Sequence, residues 1–167
     1  WLAKSKPSFN PMTGVSTAVV LAGGKGTRLA SAFPDLAKPM VPVDGLPIAE
    51  HLVRTYAAQG VRRFIFTLGY RGDQLRAHFG DGSAWGVSID YYEETEPLGT
   101  AGALAELQGE LGSGPFWVFY ADTISSVDLR RMEAFHRANS ADATLLVHPN
   151  DHPYDSDLVD AEPSGRV

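Results

Sequence analysis

Within four positions, Lys25, Thr27 and Arg28 place two cations and a hydroxyl beside Gly23, Gly24 and Gly26. Glycines leave the backbone amides uncovered, and open amides with ammonium and guanidinium groups suit the oxygens of a polyphosphate. The preceding run Ala18–Ala22 (AVVLA) has the length and branching of a buried strand, so the glycine turn falls where that strand ends. Two familiar phosphate loops do not fit. A P-loop needs Gly-Lys-Ser/Thr, whereas Gly26 is followed by Thr27 and the lysine stands before it; a dinucleotide fingerprint needs a third glycine where Leu29 stands.

Three further constellations carry chemistry. In Glu96–Leu104 (EPLGTAGAL), Gly99, Thr100 and Gly102 open an alanine-rich helix, so their amides and the positive helix end face the sheet edge. Asp122 follows the apolar run Phe116–Tyr120, and a carboxylate emerging at the carboxyl end of a strand can share a hard cation, Mg²⁺, with phosphate oxygens. The last, His148 to Asp157 (HPNDHPYDSD), mixes imidazoles and carboxylates, yet its prolines put His148 and His152 on a loop where neither helix nor strand fixes them on one face. Zinc is disfavoured there against a sugar-hydroxyl site or a solvated turn.

The elements that must position these groups alternate along the chain. Ile48, Leu52, Val53, Tyr56 and Ala57 recur at helical spacing up to Gly60; Arg63–Gly69 reads as a strand, Gly72–Phe79 as a helix and Val87–Tyr92 as a half-buried strand. Helix is expected over Gly99–Leu111, strand over Phe116–Tyr120, helix over Val127–Ala138 and a last strand over Ala143–Val147. Such a β-α series buries a mostly parallel sheet between helices and places ligands beyond the strands' carboxyl ends. The expected fold is therefore α/β, a Rossmann-like three-layer α/β/α sandwich, cut short at its C-terminal end because the closing SGRV reads as a turn entering a strand.

The 167 residues suffice for one domain with a proper core, residues 1–16 reading as a polar, proline-bearing leader and 17–167 as the folded part. A net charge of −6 without a basic cluster outside the loop argues against nucleic acid as a partner. The absence of cysteine excludes disulfides and thiolate metal sites, and no apolar run reaches the ~20 residues of a membrane span. A cytoplasmic setting is the expectation.

The run Gly23–Leu29 (GGKGTRL), with Lys38-Pro39 nine residues beyond Leu29 and the continuation KPMVPVDGLPI, resembles the signature of the sugar-1-phosphate nucleotidyltransferases. That family usually has prolines where this chain has Ser31 and Ala37. LGTAGAL is similar to the branch acting on mannose 1-phosphate and manno-heptose 1-phosphate with GTP, and His148 to Asp157 to a segment of the manno-heptose members, some joined to a phosphatase domain. The resemblance implies transfer of a nucleoside monophosphate from a nucleoside triphosphate, GTP favoured, to a sugar 1-phosphate, with release of pyrophosphate and dependence on Mg²⁺. It assigns catalytic roles to Arg28, Lys38 and Lys25, and the metal to Asp122. Nucleotide contacts fall to Leu21, Ala22, Gly23, Gly24, Gly26, Thr27, Glu96, Pro97, Gly99, Thr100 and Ala101. It is compatible with a homo-oligomer and a downstream phosphatase domain, and places a second metal-binding aspartate and a sugar-phosphate lysine beyond Arg166. Two other readings stay open on these residues: a regulatory module that binds a nucleotide-sugar without turnover, and nucleotidyl transfer to a non-sugar phosphate.

Overall fold

The computed structural model describes residues 14–24, 32–94, 99–149 and 158–167. The chain divides into two compact units, Trp1–Glu133 and Ala134–Val167. The first opens with strand β1 (Thr17–Ala22), whose continuous apolar run is that of a strand covered on both faces. A short 3₁₀ turn, Lys38–Met40, leads into a two-residue hairpin of β2 (Pro42–Val43) and β3 (Leu46–Pro47). Asp44 and Gly45, both at positive φ (49° and 82°), make the tight turn between them, the conformation an Asp-Gly pair favours.

Helix α1 (Ile48–Ala58) presents Ala49, Leu52, Val53 and Tyr56 to the core and closes ahead of Gly60, which takes φ 113°. Then come β4 (Arg63–Leu68), α2 (Gly72–Phe79), a 3₁₀ turn at Ser83–Trp85 and β5 (Ser88–Glu93). Helices α3 (Gly99–Glu106) and α4 (Gln108–Leu111), strand β6 (Trp117–Tyr120) and helix α5 (Leu129–Ala138) complete the order.

Strands pair in the order β5-β4-β1-β6, all parallel, with Val20 opposite Phe66 on one side and Phe119 on the other. Period-two alternation sends Ala18, Val20 and Ala22 of β1 and Phe64, Phe66 and Leu68 of β4 to one face, against α1 and α2. Val19 and Ile65 go to the other, against Leu104 of α3, Leu107 between the two helices and Leu111 of α4. Helices thus cover both faces, giving the expected three layers. Tyr56 stacks on Phe119 at 3.9 Å between ring centroids, and Phe66 on Phe79 at 5.5 Å; each fully buried ring such as Phe66 contributes about 2–3 kcal/mol. Gln59, just after α1, donates to the Val127 carbonyl at 3.0 Å and accepts from the Leu129 amide at 2.9 Å, while Asp128 Oδ1 accepts from the Arg130 amide at 3.0 Å, so the start of α5 is both clamped and capped.

Two expectations are corrected. The single helix over Gly99–Leu111 is broken at Leu107, which takes a turn conformation (φ −83°, ψ 0°). Gly109, a poor helix former, lies just past the break, and Leu104, Leu107 and Leu111 remain on one sheet face, as their i, i+3, i+7 spacing would have them in an unbroken helix. Ala143–Val147 is not a strand: it joins no ladder among the described residues, and Leu145 and Leu146 are 60% and 61% exposed. Apolar, β-branched composition does not make a strand without a partner to satisfy its amides and carbonyls. That segment belongs to the second unit, where the His136 ring bonds to the Thr144 hydroxyl at 3.0 Å and the expected closing turn forms around Gly165 (φ 83°), the Gly165 amide bonding to the Glu162 carbonyl at 2.8 Å. At the other end, Val15 and Ser16 of the stretch read as a leader are held: Val15 is buried, its carbonyl accepting from Trp117 Nε1 at 3.0 Å, and the Ser16 carbonyl accepts from the Arg62 amide at 2.8 Å.

Candidate active site

A cleft of ≈ 540 Å³ lies at the carboxyl ends of β1, β4 and β6, as expected for a parallel sheet. It is lined by Leu21, Ala22, Gly23, Gly24, Lys38, Pro39, Thr67, Glu94, Gly99, Tyr120, Ala121 and Asp122. Seven residues expected at the site, Leu21, Ala22, Gly23, Gly24, Lys38, Gly99 and Asp122, therefore meet around one space despite a separation of 101 positions in sequence. Ala101 lies on α3 but is exposed and does not line the cleft. Lys25, Gly26, Thr27, Arg28, Glu96 and Pro97 lie outside the described residues, as does the Thr100 side chain; so do Asn150, Asp151, His152, Asp155 and Asp157.

Each wall has a local cause. Gly23 and Gly24 follow directly on β1. A Cβ at Gly24 would meet nothing within 4 Å, so that face of the loop is open. Gly69, one residue past β4, crosses so close to Gly23 that a Cβ there would sit 2.4 Å from the Gly23 carbonyl oxygen. Only glycine allows the two backbones to approach in this way. Lys38 is carried by its 3₁₀ turn: Pro39 is buried behind it, and the Met40 amide bonds to the Ala37 carbonyl at 2.8 Å. Ala37 is itself anchored, its amide donating to Gln74 Oε1 of α2 at 2.7 Å. A proline at position 37 would lack that donor, so the departure from the usual motif replaces ring stiffness by a hydrogen bond to the neighbouring helix.

Across the cleft, the Ala121 amide bonds to the Leu21 carbonyl at 3.0 Å, extending the β1–β6 ladder by one residue and delivering Asp122 to the rim. The Lys38 ammonium and the Asp122 carboxylate form an ion pair there, both side chains partly exposed. The pair joins the 3₁₀ turn to the end of β6 and puts one cation and one anion where a phosphate and its counter-ion would divide them. Among the described residues, no three acidic, imidazole or thiol groups gather to hold a metal by protein alone. One carboxylate in an open cleft fits Mg²⁺, which keeps its waters and binds through one or two carboxylates plus substrate phosphates.

Five lining residues, Pro39, Thr67, Glu94, Tyr120 and Ala121, were not among the expected site residues, and two of them, Glu94 and Thr67, are polar groups at the ends of strands that gave no candidate. Glu94, one residue past β5, folds back toward β1 so that its Oε1 lies 2.9 Å from where a Gly23 Cβ would be, and its amide bonds to the Leu68 carbonyl at 3.0 Å. Thr67 lies near the end of β4 with its hydroxyl buried. The rule that picked out Asp122, a polar residue at a strand's carboxyl end, would have found both had it been applied to β4 and β5. No helix among the described residues is long and apolar enough to cross a membrane.

Comparison with known proteins agrees with this geometry. Residues 17–167 match the nucleotidyl transferase family. The mannose-1-phosphate guanylyltransferase of Mycobacterium tuberculosis is 45% identical over 128 residues, covering 77% of this chain and 36% of the relative. The D-glycero-alpha-D-manno-heptose 1-phosphate guanylyltransferase of Aneurinibacillus thermoaerophilus is 36% identical over 132 residues, covering 79% of this chain and 57% of the relative. Among solved structures, HddC from Yersinia pseudotuberculosis complexed with GMP-PN superposes with a TM-score of 0.66 at 33% identity, covering 73% of this chain and 54% of that one. The chain thus spans between a third and three fifths of the proteins it matches. With the signature run, the parallel sheet and the cleft at its carboxyl edge in agreement, the chain belongs to the nucleotidyl transferase family.

Proposed function

We propose that the protein containing this chain transfers a guanylyl group from GTP to a sugar 1-phosphate of the mannose or manno-heptose type, giving a nucleotide-sugar and pyrophosphate. The observation that carries the reading is the Lys38–Asp122 pair facing the Gly23–Gly24 turn across one cleft. A phosphate oxygen of the sugar 1-phosphate attacks the α-phosphorus of GTP. The bond from that phosphorus to the α,β-bridging oxygen breaks, and its electron pair leaves on pyrophosphate. The nucleophile is already an anion, so no protein base is required; the work is to hold two polyanions together and to offset charge on the α-phosphate and the leaving group. Lys38 serves the α-phosphate, Lys25 and Arg28 the triphosphate and departing pyrophosphate, and Asp122 would hold Mg²⁺. When bound, that ion supplies Lewis-acid stabilisation of the phosphoryl oxygens.

The base choice rests on the two guanylyltransferase relatives and on Glu94. A carboxylate is an acceptor only, and guanine is the purine whose edge offers it two adjacent donors, N1–H and the N2 amino group. The experiment is a panel: pyrophosphate release by the full-length protein with GTP, ATP, UTP or dTTP, each against mannose 1-phosphate, a manno-heptose 1-phosphate and glycerol phosphate. Release confined to GTP with the two sugar phosphates supports the reading. Nucleotide-sugar binding without release favours a regulatory module, release with glycerol phosphate a non-sugar acceptor, and a pyrimidine preference refutes the base assignment.

A further inference from the structure

The backbone that leads into Lys38 is gripped by a single side chain of α2. Gln74, in the first turn of that helix, donates from Nε2 to the Asp35 carbonyl and accepts at Oε1 from the Ala37 amide, both at 2.7 Å. Turned over, the side-chain amide would set donor against donor and acceptor against acceptor, so the two bonds fix one orientation and hold the backbone on either side of Leu36 as a neighbouring strand would. The helix is a firm support. Leu75 and Phe79 are buried in the core, and Gly72 lies so near Leu68 that a Cβ there would come within 2.7 Å of the Leu68 Cβ. Arg71, just ahead of α2, adds an ion pair to Asp35 at 3.4 Å. Ala37 carries the grip forward: its amide is taken by Gln74, and its carbonyl accepts from the Met40 amide at 2.8 Å, closing the 3₁₀ turn that begins with Lys38.

We propose that Gln74 is a positioning residue for Lys38, acting by fixing the backbone from which the ammonium reaches the α-phosphate. The inference rests on the role given to Lys38 above. The Lys38 ammonium is paired with Asp122, and once a phosphate takes the ammonium that anchor at the tip is given up. Precision then has to come from the backbone end. A lysine is a point charge on a flexible stem, so its reach is only as exact as the base it stands on, and a displacement of about 1 Å can cost about 100-fold in rate. Ala37 sits at φ −62°, the angle a proline ring would enforce, but alanine is free to leave it; the bond from its amide to Gln74 supplies the restraint. Gln74 does not line the cleft, so its loss removes no contact to a substrate and leaves the Gly23–Gly24 turn as it is.

The test is a double-mutant cycle on the full-length protein, with the best substrate pair of the panel above, at a temperature where every variant is folded and with single turnovers at excess enzyme for the slow ones. Gln74→Leu, which keeps the bulk and loses both bonds, lowers kcat about 10- to 100-fold and leaves KM for the nucleotide within about twofold. In a Lys38→Met background, where there is no ammonium left to place, the same substitution changes the rate by less than about twofold. Equal loss in both backgrounds overturns the inference, as does an unchanged kcat or an effect confined to KM. If Gln74→Leu fails to fold, the cycle is run with Gln74→Glu, which keeps the length and the acceptor for the Ala37 amide but offers the Asp35 carbonyl no donor; the loss must again appear with Lys38 present and vanish without it. Wild-type turnover in Lys38→Met overturns the role of Lys38 itself, and is seen before any Gln74 variant is made.

Discussion

Replacing Gly69 by alanine tests whether the crossing of two backbones sets the phosphate loop. The added Cβ would lie 2.4 Å from the carbonyl oxygen, 2.8 Å from the Cα and 2.9 Å from the carbonyl carbon of Gly23. Ordinary contact is about 3.5 Å, so the chains must part by roughly 1 Å, and no flexible side chain is available to yield. Overpacking of this kind costs about 1–3 kcal/mol of stability. Because Gly23 begins the loop that carries Lys25 and Arg28, the same displacement should lower turnover by about 100-fold, more than any loss of folded protein explains. Gly24→Ala is the companion: nothing lies within 4 Å of its Cβ, so stability should be untouched while nucleotide affinity falls as the methyl group enters the space for phosphate. Urea unfolding with turnover and nucleotide binding on both variants decides it. Wild-type stability and turnover in Gly69→Ala would refute the reasoning, as would wild-type nucleotide affinity in Gly24→Ala.

The Lys38–Asp122 pair opposes cation binding at the carboxylate, so Lys38→Met should bind Mn²⁺ in the absence of nucleotide about fivefold more tightly than wild type, the worth of a partly exposed ion pair, while Asp122→Asn should bind less; titration calorimetry on the full-length protein measures both, and equal affinities would contradict the pairing. Away from the cleft, burial pushes the Glu50 carboxyl up, but hydrogen bonds from Arg54 (2.7 Å), His78 (2.7 Å) and Trp85 outweigh it and hold it below its ordinary 4.5. A folded-state value below the unfolded one adds stability above about pH 4.5 that is lost as pH falls through the folded value. Glu50→Gln should therefore be less stable than wild type at pH 7, by about 1–3 kcal/mol, with the gap closing in acid, as denaturation midpoints across pH would show; a gap independent of pH would count against the ionised cluster.

What could be read from the sequence, and what could not, follows from where the determining partner lies. Ala18–Ala22 identified itself by its unbroken apolar run, α1 by the spacing from Ile48 to Ala57, and Asp122 by its place after Phe116–Tyr120; each is a local pattern. The break at Leu107 leaves the i, i+3, i+7 pattern of Leu104, Leu107 and Leu111 intact and so leaves no trace in that pattern, and the failure of Ala143–Val147 to form a strand depends on a neighbour, which its own segment does not record. The Lys38–Asp122 pair required the fold to close 84 positions of sequence, although each member was legible alone. Gly69 gave no signal, since it read as the last residue of the strand Arg63–Gly69; its purpose appears only when the Gly23 backbone is seen against it.

The central claim is that chemistry occurs at the α-phosphorus of the nucleotide. Full-length protein supplied with mannose 1-phosphate or a manno-heptose 1-phosphate, Mg²⁺, and either α-³²P- or γ-³²P-labelled GTP tests it directly. The account predicts that the α label appears in the nucleotide-sugar and the γ label in pyrophosphate. A γ label transferred to the sugar, or released as orthophosphate without nucleotide-sugar, would contradict it.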